Sequence, residues 1–212
     1  MELPDNILKH FLKNAYFISG SACGGKTAIA RRLSAKHNIE LYNWDDRFAQ
    51  HKKLSDSIHQ PYMKKKWASW EEYFSRPPSD QSVTNSILEQ AKISIVELLT
   101  IFQDRPIMVD GIFHSRFLKK VSSTDRVVFL MADMEAIRSD FFERADKGDM
   151  VRCIETLSDP EQAKENVFRS IEYALSQQIQ EVKNSGFWYN IRGINPDWER
   201  IIYAVERQFK LV

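Results

Sequence analysis

Gly20-Ser21-Ala22-Cys23-Gly24-Gly25-Lys26-Thr27 is the stretch whose residue types and spacing most directly imply chemistry. It fits G-x-x-x-x-G-K-[ST], the pattern of a phosphate-binding loop. Gly20 and Gly25 permit backbone conformations that a Cβ would hinder, so successive N–H groups can turn inward on phosphate oxygens. A helix starting after the loop adds the positive end of its dipole. Lys26 supplies a cation for β- and γ-phosphates, and Thr27 a hydroxyl ligand for Mg²⁺. Cys23 sits where a helix N-terminus favours a thiolate. A redox role and a plain filler position are both compatible with it, and no resolving thiol is near in sequence.

Such a loop needs a strand before it and a helix after it. Ala15-Tyr16-Phe17-Ile18-Ser19 reads as a buried strand. Ala28, Ile29, Leu33 and Ala35 then suit a helix that stops near Asn38. Further apolar runs predict strands at Ile39–Asn43, Pro106–Asp110, Arg126–Met131 and Phe187–Ile191. Helices are expected over Asn6–Leu12, Gln81–Phe102, His114–Val121 and Met134–Arg144. Asp159-Pro160-Glu161 is a helix start with Pro at the first helical position, and that helix should run to about Lys183. Asn195-Pro196-Asp197 should start a last helix through Phe209, with Ile201, Ile202 and Val205 inward. In the long helix Val83, Ile87, Leu88, Ala91, Ile95, Leu98 and Leu99 recur as one buried face should. Strands alternating with helices imply a parallel sheet covered on both faces, with ligands at the carboxyl ends of the strands.

Two acids follow strand ends: Asp45, beside Asp46, and Asp110, before Gly111. They therefore converge with the loop on one edge of the sheet. For Asp45 and Asp46 a site at that edge and plain helix capping are the two readings. Asp110-Gly111, ending an apolar run, resembles the acid that holds Mg²⁺ through water in nucleotide-binding kinases; a plain turn residue is the other reading.

The loop together with these acids resembles the P-loop kinases of small molecules, such as nucleoside, nucleotide, shikimate and gluconate kinases. The resemblance implies a three-layer α/β/α fold whose five-stranded parallel sheet is ordered 2-3-1-4-5. It also implies one kinase-like domain over 1–212, with an acceptor-binding insertion at 44–78 and a lid at 138–158. The run Asp45-Asp46-Arg47-Phe48 is similar to one in uridine-type kinases, where the first acid takes the proton of the accepting hydroxyl; Asp46 is the alternative. Arg144 is the lid arginine best placed to meet the transferred phosphoryl group, with Arg138, Arg152 and Arg169 as further candidates. Residues Arg192–Pro196 resemble a loop contacting adenine by backbone. The implied cofactors are ATP and Mg²⁺, and the implied partner is a small-molecule acceptor, on a monomer or homodimer. A nucleotide-dependent ATPase or switch acting through a protein partner is the alternative reading.

The insertion carries Lys64-Lys65-Lys66, Trp67, Trp70 and Tyr73. Cations beside aromatics could stack a ring and hold an anion; a solvated basic helix with two core tryptophans is the other reading. The chain has 212 residues, 43% hydrophobic and 28% charged, with a formal net charge of +1. That size suits one domain with a sizeable core, and the balance implies no broad nucleic-acid or membrane footprint. No run reaches membrane-spanning length, and the start lacks the pattern of a signal peptide. The two cysteines form neither a disulfide framework nor a zinc site, so a cytoplasmic location is expected.

Overall fold

Alternation along the apolar runs decides how the chain folds. In the strand Ala15–Gly20 (β1), Phe17 points to one face of the sheet and Tyr16 and Ile18 to the other. The same split recurs in Glu40–Asn43 (β2), Ile107–Asp110 (β3), Val127–Ala132 (β4) and Trp188–Arg192 (β5). The structure is a computed structural model that describes residues 4–101 and 104–212. Phe102, the expected end of the long helix, lies outside them.

All pairings are parallel, and the strand order is β2-β3-β1-β4-β5, as the resemblance implies. Helices Lys26–His37 (α2) and Trp198–Gln208 (α10) cover one face. There Ile29, Ala30 and Leu33 meet Ile18, Met108, Leu130, Ile202 and Val205. The opposite face is covered mainly by Ser82–Ile101 (α5), Ser115–Val121 (α6) and Pro160–Lys183 (α9). Asp5–Phe11 (α1) packs against α6. A sheet buried on both sides explains why its strands read as continuous apolar runs.

Helix ends follow local chemistry. Asn38 closes α2 in the left-handed conformation with φ 52°. The Asp159 carboxylate accepts from Gln162 N before Pro160 opens α9. The Asp197 carboxylate caps α10 through Arg200 N.

The structure departs from the sequence expectations in four places. Residues 44–78 open with a helix that was not expected, Trp44–Leu54 (α3), whereas the short Trp70–Phe74 (α4) starts where the capping spacing of Ser69-Trp70-Glu71-Glu72 predicts it, Ser69 Oγ accepting from Glu72 N. Asn43, the last residue of β2, doubles as the cap of α3, its Oδ1 accepting from Asp45 N at 2.8 Å, so no turn separates strand from helix. On α5 the buried face takes in Gln90 and Ser94, while Val83 is exposed; Gln90 donates to the carbonyl of Trp44, which makes its burial tolerable. The helix expected over Met134–Arg144 ends at Asp140 (α7). Phe141 is drawn into an apolar cluster with Cys23, Ala132 and Phe168, which turns the chain before Arg144. The stretch that follows, which the charge density of Asp146-Lys147-Gly148-Asp149 marks as a turn, is helical: a 3-10 turn at Ala145–Lys147 and then Gly148–Glu155 (α8), seated through Ile154 and Met150 against Phe74 and α9.

Candidate functional site: a phosphate cradle at the carboxyl edge of the sheet

The cradle begins where β1 ends. Gly20 has φ 136° and lies so close to Leu130 on β4 that a Cβ would overlap the Leu130 carbonyl. Cys23 also takes the left-handed region, with φ 56°, which is costly for a residue with a side chain. Gly25, at φ 87°, opens α2 and lies against the Trp198 ring. Ser21 Oγ accepts from Ala132 N at 3.0 Å and ties the loop to β4. Lys26 Nζ donates to the carbonyl of Ser21 at 2.6 Å, so the cation folds back across the loop.

The register brings the acid to this cation. Asp110 ends β3 between Ile18 of β1 and Asn43 of β2. Its carboxyl is 3% exposed, and its Oδ2 has no hydrogen-bond partner. Burial pushes its pKa above the usual carboxylate value; a hydrogen bond with Thr27 and the charge of Lys26 oppose that, and Asp45 adds to it. Burial pulls the Lys26 pKa below the ordinary lysine value, against the attraction of Asp110 and Asp45. Lys26, Thr27, Asp110 and Asp45 thus form one electrostatic cluster. Asp46, exposed on the first turn of α3, is not among the leading charges acting on Lys26 or Asp110.

Arg144 joins this cluster despite lying beyond α7. Its guanidinium makes a two-pronged pair with Asp146, both contacts at 2.9 Å, and acts on the charge of Lys26. The other arginines of this region are engaged elsewhere. Arg138 pairs with Glu165 at 2.9 Å and stacks over Phe168; Arg152 pairs with Asp149, and Arg169 approaches Glu165. Arg138 and Arg144 therefore do not share a helix face, because α7 stops between them.

Sequence reasoning missed the support that the last strand gives to the cradle. Arg192, buried at the end of β5, donates from Nε to the carbonyl of Cys23 at 2.7 Å and from NH2 to Asp140 at 2.5 Å. Its register opposite Ala132 places it on the same edge as the loop. The available signal was a charged residue closing an otherwise apolar-aromatic strand.

The residues fit a Mg²⁺ ion by their chemistry. A buried carboxylate oxygen without a partner, beside a threonine hydroxyl, is an oxygen donor set awaiting a hard cation. Among the described residues no group of three or more His, Cys, Asp or Glu side chains could hold a metal. Mg²⁺ takes few protein ligands and completes its shell with water and phosphate, so a sparse set suits it.

Beside the cradle lies a pocket of about 330 Å³. Tyr73 and Arg76 wall it from the segment before α5, Ile112 from the turn after Asp110, Phe141 from just beyond α7, Met150 from α8, and Tyr173 from α9. The cradle residues themselves do not line it; Phe141, which packs in the cluster with Cys23, links the two. Trp67 is partly buried and Trp70 exposed, so neither belongs to a core. Both instead make edge contacts with Tyr73, at 5.6 and 5.8 Å between ring centres.

No protein-family profile and no curated protein matches the chain. Among solved structures it is similar to a shikimate kinase from Bacteroides thetaiotaomicron, with 12% identity over 92% of this chain and 98% of that one, at a TM-score of 0.47. It is also similar to the deoxyadenosine kinase of M. mycoides. With dCMP and dCDP bound, that enzyme matches at 14% identity over 93% of this chain and 100% of that one, TM-score 0.47. With dCTP bound the TM-score is 0.42. The fold assignment itself rests on strand order and register, which are properties of this chain. No helix among the described residues is long and apolar enough to cross a membrane.

Proposed function

We propose that this protein is an ATP- and Mg²⁺-dependent kinase of a small molecule. The observation that carries the reading is Asp110: a buried acid with an unpartnered oxygen, acted on by Thr27 and by the charge of Lys26 at the mouth of the glycine-rich loop. Burying such a group without a use is unfavourable, and positions of this kind collect at functional sites.

In this reading the loop from Gly20 to Thr27 grips the nucleotide phosphates through its backbone N–H groups, and Lys26 swings from the Ser21 carbonyl onto the β- and γ-phosphates. Thr27 and Asp110 would hold Mg²⁺, which when bound neutralises charge on the phosphate oxygens. The acceptor oxygen attacks the γ-phosphorus, the bond to the bridging oxygen of ADP breaks, and the hydroxyl proton passes to the carboxylate of Asp45. Asp45 is preferred to Asp46 because it acts on both Lys26 and Asp110. Arg144 meets the charge spread over the transferred group. The 44–78 insertion and the 138–158 lid close over an acceptor in the adjacent pocket, which supports a small molecule rather than water as acceptor.

Titration with ATP and Mg²⁺ tests the donor half. Lys26→Ala should weaken binding roughly tenfold to a hundredfold, the scale of a charge-assisted contact; unchanged affinity sinks the reading. Asp45→Asn should keep nucleotide affinity and slow transfer to an acceptor. Full-rate transfer by that variant would move the proton to another group.

A further inference from the structure

Arg144, Asp146 and Lys147 form a charged cluster that the packing of the lid does not require. Arg144 enters the 3-10 turn with an extended backbone, and Lys147 N donates to its carbonyl at 2.9 Å. Three-residue spacing in such a turn puts both side chains on one side. The Asp146 carboxylate sits between them. One oxygen accepts from Arg144 Nε and the other from its NH2, both at 2.9 Å, and the second oxygen also lies 3.3 Å from Lys147 Nζ. Two cations thus converge on one carboxylate, and among the described residues neither pairs with any other acid.

The cations are anchored on the cradle side, whereas the acid is not. Lys147 lies over the Phe141 ring at 5.3 Å, and Phe141 packs with Cys23 of the loop. Burial works against ionisation of Asp146, yet Arg144 and Lys147 hold its pKa below the usual carboxylate value. The carboxylate is nevertheless about half exposed, while Lys147 is largely covered. Asp146 can therefore swing into water at little cost, and the cations stay behind. Two like charges side by side repel unless an anion lies between them. The guanidinium fork fits phosphate oxygens as it fits those of a carboxylate.

We propose that Asp146 is a resident stand-in for phosphate in a two-cation clamp made by Arg144 and Lys147, and that phosphate oxygens of a bound nucleotide displace it. The inference rests on the kinase reading for the identity of the incoming phosphate. It makes Lys147 a second phosphate-binding residue of the lid. It also makes Asp146 a competitor that sets the affinity of the clamp, because a ligand gains the fork only after the carboxylate has left it.

Two probes, a non-hydrolysable ATP analogue and inorganic tripolyphosphate, are titrated calorimetrically in the presence of Mg²⁺. Asp146→Asn should bind both about three- to tenfold more tightly than the parent, the scale of one or two half-exposed ion pairs. Asp149→Asn is the control: it removes the same charge from a neighbouring position that pairs only with Arg152, and it should change affinity less than about twofold. Adding Arg144→Met to Asp146→Asn should erase the gain, and adding Lys147→Met should remove at least half of it. No gain in Asp146→Asn, an equal gain in Asp149→Asn, or a gain that survives the loss of Arg144 or of Lys147 overturns the proposal. Thermal melts confirm folding, and Asp146→Ser carries the same comparison if Asp146→Asn is misfolded. If the ATP analogue binds no variant while tripolyphosphate keeps the expected pattern, the kinase reading falls and the clamp stands. If the analogue binds parent and Asp146→Asn equally, the clamp falls and the kinase reading stands. Failure of both probes on every variant removes both.

Discussion

Arg192 and Cys23 lie 169 positions apart in the chain, and the Arg192 guanidinium donates to the Cys23 carbonyl at 2.7 Å. The contact fixes the one residue of the loop that carries a side chain yet adopts a left-handed backbone. The same guanidinium pairs with Asp140 at the end of α7, so one side chain from the last strand holds both the loop and the end of that helix.

Arg192→Met should therefore lower stability and nucleotide affinity together. Losing a donor to a buried carbonyl costs about 1–3 kcal/mol, and the freed Asp140, partly exposed, adds less because water screens it. Arg192→Lys should not rescue it, since an ammonium cannot reproduce the fork that serves Cys23, Gly193 and Asp140. Chemical denaturation beside nucleotide titration checks both effects.

Asp110→Asn should separate stability from function. The folded protein holds the Asp110 pKa above its unfolded value, so the native state binds the extra proton. The stability associated with that proton is fully present below the unfolded pKa and is lost as pH rises through the folded one. A neutral amide mimics the protonated form. The variant should melt a few degrees higher than the parent at neutral pH without nucleotide, roughly the 1 kcal/mol scale of one strained buried group, while losing the Mg²⁺ dependence of nucleotide binding. The melting difference should shrink at acid pH.

Glu181 runs in the opposite direction. Its hydrogen bond with His114, with help from Ser115 and Arg116 N, holds its pKa down to about 2, against burial. Its contribution is present above the unfolded carboxylate pKa and disappears as pH falls towards 2. Glu181→Gln should be less stable than the parent at pH 7 and indistinguishable from it near the acid end. A series of melts across pH 2–7 reads the convergence; a gap that stays constant would show that the carboxylate charge is not what matters.

Gly20→Ala should damage the cradle at its root. A φ of 136° is hostile to alanine, and the added carbon would overlap the Leu130 carbonyl, which is backbone and cannot step aside. A loss of at least about 2 kcal/mol is expected from the strained conformation alone, together with loss of nucleotide binding. Circular dichroism melts and ATP titration measure the two.

The strands, the loop and the starts of α9 and α10 were legible in the sequence because each is written locally, as an apolar run, a glycine spacing or a cap. The convergence of Asp45 and Asp110 with Lys26 was legible once the sheet was inferred to be parallel. Helix α8 was not: the stretch around Asp146–Asp149 is dense in charge, and the helix is held by Ile154 and Met150 packing on α9 and Phe74. The end of α7 was hidden for a similar reason, since Phe141 leaves the helix for partners contributed by α9 and the loop. The packing of Arg76 was not legible because it depends on the rings of Trp67 and Tyr73 closing around the guanidinium.

The wall that Trp198 sets against Gly25 and the clasp of Arg192 on Cys23 have a consequence for biosynthesis. The loop leaves the ribosome well before the parts that brace it, which are translated later. A nascent chain released before β5 would carry the full glycine-rich motif without the contacts that hold it in shape, so the geometry of the loop marks the completion of the sheet rather than the appearance of the motif.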